Sequence, residues 1–260
     1  MRLISKIAFV LFLFSHSHQE QRLIAAPVVE WMSVNKIRPG QLVIGAAEAS
    51  IRASALEGMT PTERRKFLEK HSISVVRGPK GRVHLVDGHH LSFALMSLES
   101  RGVLAARAPA QIIGDLSGET EDNFWKTMQE RNWVYLFDEN DVAIRPSDLP
   151  LQLKKLKDDR YRSLAWLLRE EGCFKDLERP FQEFAWAHFL RKSVPLPDNQ
   201  AKSVTSALLE AKKLAHGPDA SRLPGYLKNH PSSAHSELSA KNQHRISTLG
   251  SALMQTSDQR

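Results

Sequence analysis

The chain has 260 residues, of which 42% are hydrophobic and 25% are charged, as expected of an ordinary soluble globular protein. Its formal net charge of +7 often accompanies a nucleic-acid or other anionic partner, although a solvated basic surface gives the same balance. The single cysteine, Cys173, excludes an internal disulfide and a cysteine-based zinc site, and its surroundings favour a packed thiol over a nucleophile.

The N-terminus has the pattern of an export signal. Arg2 and Lys6 are followed by an unbroken apolar run at 7–14, and small residues then occupy the two positions that a signal peptidase reads. We expect a signal peptide at 1–17 and a secreted or periplasmic protein, with no membrane span in the mature chain. The alternatives are a misassigned start site, which would leave the protein in the cytoplasm, and a short apolar arm packed on the domain.

Strands and helices alternate after a linker at 18–33. Short apolar strands and helical segments between 34 and 116 predict an α/β domain. One helix begins at Thr60, where an N-cap threonine, a proline at the first helical position and Glu63 form a capping box.

The second half of the chain has a different pattern. Helical spacing dominates from 117 to 216 and predicts a mainly helical extension packed on the first domain, which makes the chain as a whole α+β. The aromatic residues of one of these helices, 181–190, have the spacing of core residues. From 217 to 260 the chain is rich in small and polar residues, so we expect a disordered or loosely structured tail, with a weak helix at 241–254 as the alternative.

The most informative motif is a strand-to-helix corner. An apolar strand at 83–86 ends in Asp87 and Gly88, and helical spacing resumes after the adjacent pair His89 and His90. Backbone N–H groups and the helix dipole favour a bound anion at such a corner. Asp87 could hold Mg²⁺, act as a base or orient an imidazole. The structural alternative is a turn capped by Asp87, with both histidines packed or exposed.

Two further groups could bind an anion. Arg38 and Gln41 flank a Pro-Gly turn, and an arginine on a loop can bind phosphate through two parallel hydrogen bonds. A surface arginine beside proline is the alternative. Residues 158–163, with paired carboxylates and two arginines, could bind a metal and a phosphate, or could cap a helix with compensating ion pairs. Arg162 is the member of this group that we single out.

Five blocks between Val34 and Arg191 point to one known superfamily. The blocks are Ile37-Arg38-Pro39-Gly40-Gln41, Val86-Asp87-Gly88-His89-His90, Asn123-Phe124-Trp125-Lys126-Thr127-Met128, Asp158-Asp159-Arg160-Tyr161-Arg162-Ser163-Leu164-Ala165 and Pro180-Phe181-Gln182-Glu183-Phe184-Ala185-Trp186-Ala187-His188-Phe189-Leu190-Arg191. With these blocks the chain resembles the ParB/sulfiredoxin superfamily and, within it, the branch of ParB-like putative nucleases. The resemblance implies a small mixed sheet with helices, followed by the helical extension.

The resemblance also implies a phosphate- or nucleotide-binding pocket. Asp87 would bind Mg²⁺ or act as a base, and Gly88, His89 and His90 would contact phosphate. The expected catalytic residues are Asp87, His89, His90 and Glu48, and the further phosphate ligands are Arg38, Gln41 and Arg162.

The motif departs from three activities of that superfamily. His89 stands where sulfiredoxin has its nucleophilic cysteine, and the arginines of the CTP-binding ParB clamps are absent from this sequence. The free serine kinases carry Asp-Gly-His-His-Arg, whereas Leu91 follows the histidine pair here. The loop of their catalytic base corresponds to the neighbourhood of Gln41, which is not a base, and Glu48 is the nearest carboxylate that could replace it.

We therefore expect a protein that handles phosphate, by phosphoryl transfer or by hydrolysis of a phosphodiester or nucleotide. Its expected partner is a nucleotide or a phosphorylated small molecule, with nucleic acid as the less favoured choice. One alternative is a non-catalytic DNA-binding partition-type protein, although the sequence has no clear helix-turn-helix with a basic recognition helix. The other is an exported binding module, which the signal-like N-terminus favours.

Overall fold

The computed structural model describes residues 29–177, 179–195, 201–228 and 237–257. The expected signal peptide at 1–17 and the first part of the linker, 18–28, lie outside these residues. Within them, no helix is long and apolar enough to cross a membrane.

Five strands form a mixed sheet in the order β1-β6-β4-β5-β2, and two further strands, β3 and β7, pair with each other in parallel. Within the large sheet, β1–β6 and β4–β5 are antiparallel, whereas β4–β6 and β2–β5 are parallel. The strands are β1 (Val29–Ser33), β2 (Ile37–Arg38), β3 (Val43–Ile44), β4 (Ile73–Arg77), β5 (Val83–Asp87), β6 (Arg107–Asp115) and β7 (Lys157–Asp158).

The described residues also form a set of α-helices, which are α1 (Ala46–Glu57), α2 (Pro61–Lys70), α3 (His89–Ser100), α4 (Glu121–Glu130), α5 (Arg160–Glu170), α6 (Gln182–Ser193), α7 (Ala201–Ala215) and α8 (Ala240–Ser257). The α+β class is thus confirmed. The capping box at Thr60 is also confirmed, because its side chain accepts from the Glu63 amide and Glu63 accepts from the Thr60 amide.

The two faces of the large sheet belong to different cores. On β4 and β5, Val75 and Leu85 face a core shared with α1 and α3, whereas Val76 and Val86 face a core shared with α4. This is the alternation that a pleated strand imposes. A third core joins α5, α6, α7 and α8, and α1 packs against both α3 and α5. Helix α1 therefore connects the sheet layer to the helical half.

The structure corrects two of the predicted boundaries. Residues 29–33, assigned to the linker, form edge strand β1 and pair with 107–111. Part of the expected disordered tail, 217–260, is ordered, because α8 packs on the helical half and buries Leu238 and Ile246 in its core. The helical pattern of this segment alone is too weak to reveal a contact that depends on distant helices.

Helix α3 begins two residues earlier than its apolar spacing suggests. Its first residue is His89, and Gly88 caps it in the left-handed conformation, with φ of +93°. A Cβ on Gly88 would lie 2.5 Å from Cγ2 of Ile73. The corner therefore needs glycine for its backbone angle and also for space, and both histidines belong to the first helical turn.

We predict that Gly88→Ala destabilises the protein more than Gly81→Ala does. Gly81 has a similar φ of +68° but would place its Cβ in open space, so it reports the backbone strain alone, about 1–2 kcal/mol. The contact with Ile73 should add about 1–3 kcal/mol for Gly88→Ala. Urea unfolding measures both losses, and equal values would contradict the tight corner.

Candidate functional site

A cavity of about 350 Å³, here called the Asp87 cavity, opens where the corner between β5 and α3 meets the helical half of the chain. Its walls come from the β5–α3 corner, from α1 and from the starts of α5 and α6. It gathers seven of the eight predicted site residues, which are Gln41, Glu48, Asp87, Gly88, His89, His90 and Arg162.

Arg38 is the predicted residue that lies apart. It is the register partner of His84 on β5, and both line a different cavity of about 650 Å³. Because Ile37 is buried in the core, strand alternation turns Arg38 to the opposite face of β2. Burial, then the charges of Arg38 and Arg82, lower the pKa of His84 to about 4. The structure therefore does not bring Arg38 together with the other seven residues.

The two histidines of the motif fasten one loop to the start of α3. Nε2 of His89 accepts a hydrogen bond from the amide of Gly40 at 3.0 Å, and Nε2 of His90 accepts one from the amide of Gly45 at 3.2 Å. Since an amide N–H can only donate, each Nε2 must present a lone pair, and the neutral ring carries its proton on Nδ1. We call this pair of contacts the histidine clasp.

Burial keeps both imidazoles neutral. It lowers the pKa of His89 to about 3, with Arg162 as the second cause, and the same two causes hold the pKa of His90 well below its usual value. Glu48 lies 3.4 Å from Nε2 of His90, a contact that would favour a protonated ring. The neutral form prevails because the Gly45 amide occupies that lone pair and two arginines already balance the charge of Glu48. This geometry disfavours a cationic phosphate contact by either histidine.

The loop held by the clasp can approach β5 and α5 this closely only because it carries glycine at both contact points. A Cβ on Gly40 would lie 2.3 Å from the carbonyl oxygen of Leu85, and one on Gly45 would lie 2.8 Å from Oγ of Ser163. The loop therefore lies directly on β5 and on α5. Gln41, within it, is buried and donates to the carbonyl of Val43 at 2.6 Å, so its side-chain amide braces the loop.

A buried network of ion pairs forms the floor of the cavity. Glu48 is bound by Nη1 of Arg162 at 3.0 Å and by Nη2 of Arg52 at 2.7 Å. Arg162 also lies 3.5 Å from Glu183, which in turn pairs with Arg169. The network links α1, α5 and α6 through charges that are each matched by an opposite charge.

This matching makes Glu48 a weak base. Burial alone would raise the pKa of Glu48, but Arg162 and Arg52 outweigh it and lower the pKa. Burial also raises the pKa of Glu183, but Arg162 and Arg169 lower it by more, so the net change is downward. A carboxylate held by two guanidiniums loses their attraction when it accepts a proton, so its protonation is unfavourable. The catalytic role expected for Glu48 is therefore disfavoured, and its position suits a structural ion pair.

The aspartates of 158–163 act as helix caps. The Asp159 carboxylate accepts from the amides of Tyr161 and Arg162 at the start of α5, and Asp158 accepts from the amide of Ala46 at the start of α1. The sequence left two alternatives open for these carboxylates, a metal and phosphate site or a helix cap. Their hydrogen bonds are those of helix caps. Arg162 alone of this block reaches the Asp87 cavity.

The mouth of the cavity carries groups of a different kind. Asp87 is exposed, and its Oδ1 accepts from the Gly88 amide at 2.7 Å, while no cation of the described residues pairs with it. Arg179 is exposed on the same cavity and has no carboxylate partner among the described residues. His71 also lines it, and its Nδ1 donates to the carbonyl of Phe67 at 2.7 Å, which leaves Nε2 available.

Sequence reasoning missed Arg179, His71 and the arginine pair Arg52 and Arg169. None of them belongs to a motif, and only the packing of the helical half against the sheet brings them to one place. The described residues contain no group of three or more His, Cys, Asp or Glu side chains placed to hold a metal ion. A Mg²⁺ ion at Asp87 remains a prediction, and it would draw most of its ligands from water and substrate oxygens.

Two comparisons with known proteins give matches: a family model and a solved structure. A family model described as "Putative ParB-like nuclease" matches residues 31–192, which span β1 to α6 and include every residue of the clasp and of the ion-pair network. Among solved structures, the crystal structure of protein Atu1540 from Agrobacterium tumefaciens shares 34% sequence identity with this chain at a TM-score of 0.69. The match covers 78% of this chain and 98% of that one. No curated protein matches the chain.

We predict that the neutral state of His89 makes the protein sensitive to acid. The unfolded chain protonates this histidine below about pH 6.5, whereas the folded ring stays neutral down to a pKa of about 3. Protons therefore favour the unfolded state between these values, and the free energy of unfolding should fall as pH falls, by up to about 1.4 kcal/mol per pH unit from this group.

Urea unfolding between pH 7 and pH 4 tests this with two variants. His89→Gln keeps an acceptor for the Gly40 amide but removes the titration, so its stability should fall less steeply in acid. His89→Ala leaves the buried amide without a partner and should lose about 1–3 kcal/mol already at pH 7. Parallel pH profiles for the wild type and His89→Gln would show that His89 is not held neutral.

Proposed function

The chain belongs to the ParB-like putative nuclease family, and from that premise we propose that it binds the phosphodiester of a nucleic acid in the Asp87 cavity and hydrolyses it. The observation that carries this proposal is the carboxylate of Asp87 at the cavity mouth, which pairs with no cation of the described residues. Four carboxylates line the cavity, and Glu48, Asp176 and Glu183 each pair with an arginine. Asp87 is the remaining one.

An unpaired, exposed carboxylate is free to act on a substrate. Asp87 could accept a proton from an attacking water, or it could hold Mg²⁺ together with oxygens of the substrate phosphate. Bound there, Mg²⁺ would supply neutralisation of the charge that develops on the phosphate. One oxygen of Asp87 is fixed by the Gly88 amide, so the carboxylate keeps its orientation beside the start of α3.

Two features support binding of the phosphate itself. The first turn of α3 presents amide groups that a helix start leaves without intrahelical partners, and the helix dipole favours an anion at this end. Arg179 adds a positive charge that is not paired with any carboxylate of the described residues. The guanidiniums of Arg52, Arg162 and Arg169 are committed to the ion-pair network, so we assign them to the support of the cavity and not to the phosphate.

His71, which lines the same cavity, is the group that we assign to complete proton transfer. Its Nδ1 donates to the Phe67 carbonyl, so Nε2 is the ring nitrogen available for proton transfer. In the proposed hydrolysis, water adds to phosphorus as the bond to one ester oxygen breaks. Protonated His71 would then give its proton to that leaving oxygen.

We predict that Asp87→Asn lowers cleavage of a fluorescently labelled oligonucleotide at least 100-fold in the presence of Mg²⁺, the usual scale for losing an acid–base or metal-binding group. The melting temperature should change little, because Asp87 is exposed and bonded only to the adjacent amide. Asp219→Asn, a change at an exposed aspartate outside the cavity, is the matched control and should cleave normally.

Three outcomes decide between the functions considered. Loss of cleavage in Asp87→Asn alone supports the proposal. Equal cleavage by the two variants and the wild type would assign the activity to another site or to a contaminant. Binding of the oligonucleotide by the wild type without cleavage would favour the non-catalytic DNA-binding alternative.

A further inference from the structure

The cavity of about 650 Å³ that Arg38 and His84 line has no part in the proposed function, and we call it the His84 cavity. It lies on the face of the large sheet that α4 covers, whereas α1 and α3 cover the other face. Among the described residues, none lines both this cavity and the Asp87 cavity. Its volume is within the range of pockets that bind small molecules. The two cavities can therefore bind different ligands independently.

His84 is a buried polar side chain whose hydrogen-bonding capacity the protein does not use. The residue is 3% exposed, and its Nδ1 is buried without a hydrogen-bond partner within the described part of the chain. Its ring lies against Phe124 and Trp125, with centroid distances of 4.8 and 5.2 Å, and a Cβ on Gly78 would be 3.3 Å from its Cδ2. These neighbours fix the ring in place. Buried polar atoms are usually paired, and a polar ligand in the cavity can bond to this ring.

Arg38 is the cation of the cavity that no carboxylate of the described residues neutralises. Arg82 pairs with Glu121, and Lys126 lies near a glutamate of its own helix. Arg38 is half-buried and is the register partner of His84, so the two side chains project from the same face of neighbouring strands. A guanidinium in this position presents a planar fork that fits a carboxylate.

The electrostatic potential at the His84 ring favours an anion. Burial is the first cause that lowers the pKa of His84 to about 4, and the charges of Arg38 and Arg82 are the next causes. The ring is therefore neutral near pH 7, and it can donate through one nitrogen and accept through the other. An anion beside Arg38 would offset the two positive charges and raise the pKa of the ring.

The remaining walls favour a ligand with a single charge and an apolar body. Three cations and three carboxylates of the described residues line the cavity, so its overall charge does not attract a polyanion such as nucleic acid. One wall is formed by Leu149, Pro150 and Leu151, and Leu151 is 67% exposed. The half-buried ring of Trp125 adds further apolar surface.

We propose that the His84 cavity binds a small organic acid, with its carboxylate between Arg38 and His84 and its apolar body against Trp125 and Leu151. Arg38 donates two parallel hydrogen bonds to the carboxylate, and the N–H of the neutral His84 ring donates a third. Arg38 thus binds an anion, as its place in the sequence suggests, but in a different cavity and for a different class of ligand.

Nitrogen NMR of the His84 ring in the labelled full-length protein tests this with benzoate, phenylacetate and indoleacetate, each compared with its uncharged amide. We expect at least one acid to shift the His84 signals and to bind at least about 10-fold more tightly than its amide. Arg38→Gln should weaken binding of that acid about 10- to 100-fold, the range for hydrogen bonds to a charged group. Arg222→Gln makes the same change in net charge at an exposed arginine outside the cavity and should leave the affinity unchanged.

His84→Phe is a second variant, which keeps a ring in the same packing but removes both nitrogens. It should bind the acid about 3- to 10-fold more weakly, by calorimetry, without a lower melting temperature, because it removes a buried nitrogen that has no partner. Equal binding of each acid and its amide, or equal affinity of Arg38→Gln and Arg222→Gln, would overturn the proposal. Failure of all three acids to bind at millimolar concentrations would overturn it as well. None of these measurements involves cleavage, so their outcome is independent of the proposed function.

Discussion

Two neutral imidazoles, each accepting one glycine amide, hold the parts of this protein together at its candidate site. The loop between Gly40 and Gly45 is fastened by His89 and His90 to the first turn of α3. That loop leads into α1, whose Glu48 meets Arg162 of α5. The sheet layer and the helical half are thus joined through a contact that requires unprotonated Nε2 atoms. The two histidines of the motif that first suggests chemistry have a structural role, and in the proposed function the chemistry is assigned to Asp87 beside them.

This division separates the charges of the site into two groups. The inner group of Glu48, Arg162 and Glu183 is buried and matched, and such pairs contribute more to orientation than to stability because desolvation offsets their attraction. The outer group of Asp87 and Arg179 is exposed, and neither has an ion-pair partner among the described residues. A substrate can contact the exposed outer group at a small cost in free energy, whereas disturbing the inner group would leave a buried charge unpaired. We therefore propose that the exposed group at the cavity mouth binds the substrate and acts on it. The buried ion pairs hold the surrounding helices in position.

Local sequence signals predicted the parts of the fold that depend on neighbouring residues. The capping box at Thr60 and the strand-to-helix corner at Asp87 and Gly88 are of this kind. The resemblance to a known family placed Glu48 and Arg162 near that corner. The direction of the histidine Nε2 atoms could not be predicted, because it depends on amides 45 and 49 residues away in the sequence. Residues 29–33 fit a strand or a loop from the sequence alone, and pairing with 107–111 decides for the strand. Arg38 was predicted on a loop beside the Pro-Gly turn, but it lies on β2, where the alternation that buries Ile37 turns Arg38 towards another cavity.

The protonation state of the two histidines tests the central claim most directly, and nitrogen NMR of the imidazole rings in the uniformly labelled protein measures it. The account predicts that at pH 7 both rings are neutral, with the proton on Nδ1 and an unprotonated Nε2 that is hydrogen-bonded to the amide of Gly40 or Gly45. The spectrum of His89 should stay unchanged down to about pH 5, since its pKa is about 3. A proton on Nε2 of either ring at pH 7, or a doubly protonated imidazolium there, would contradict the clasp.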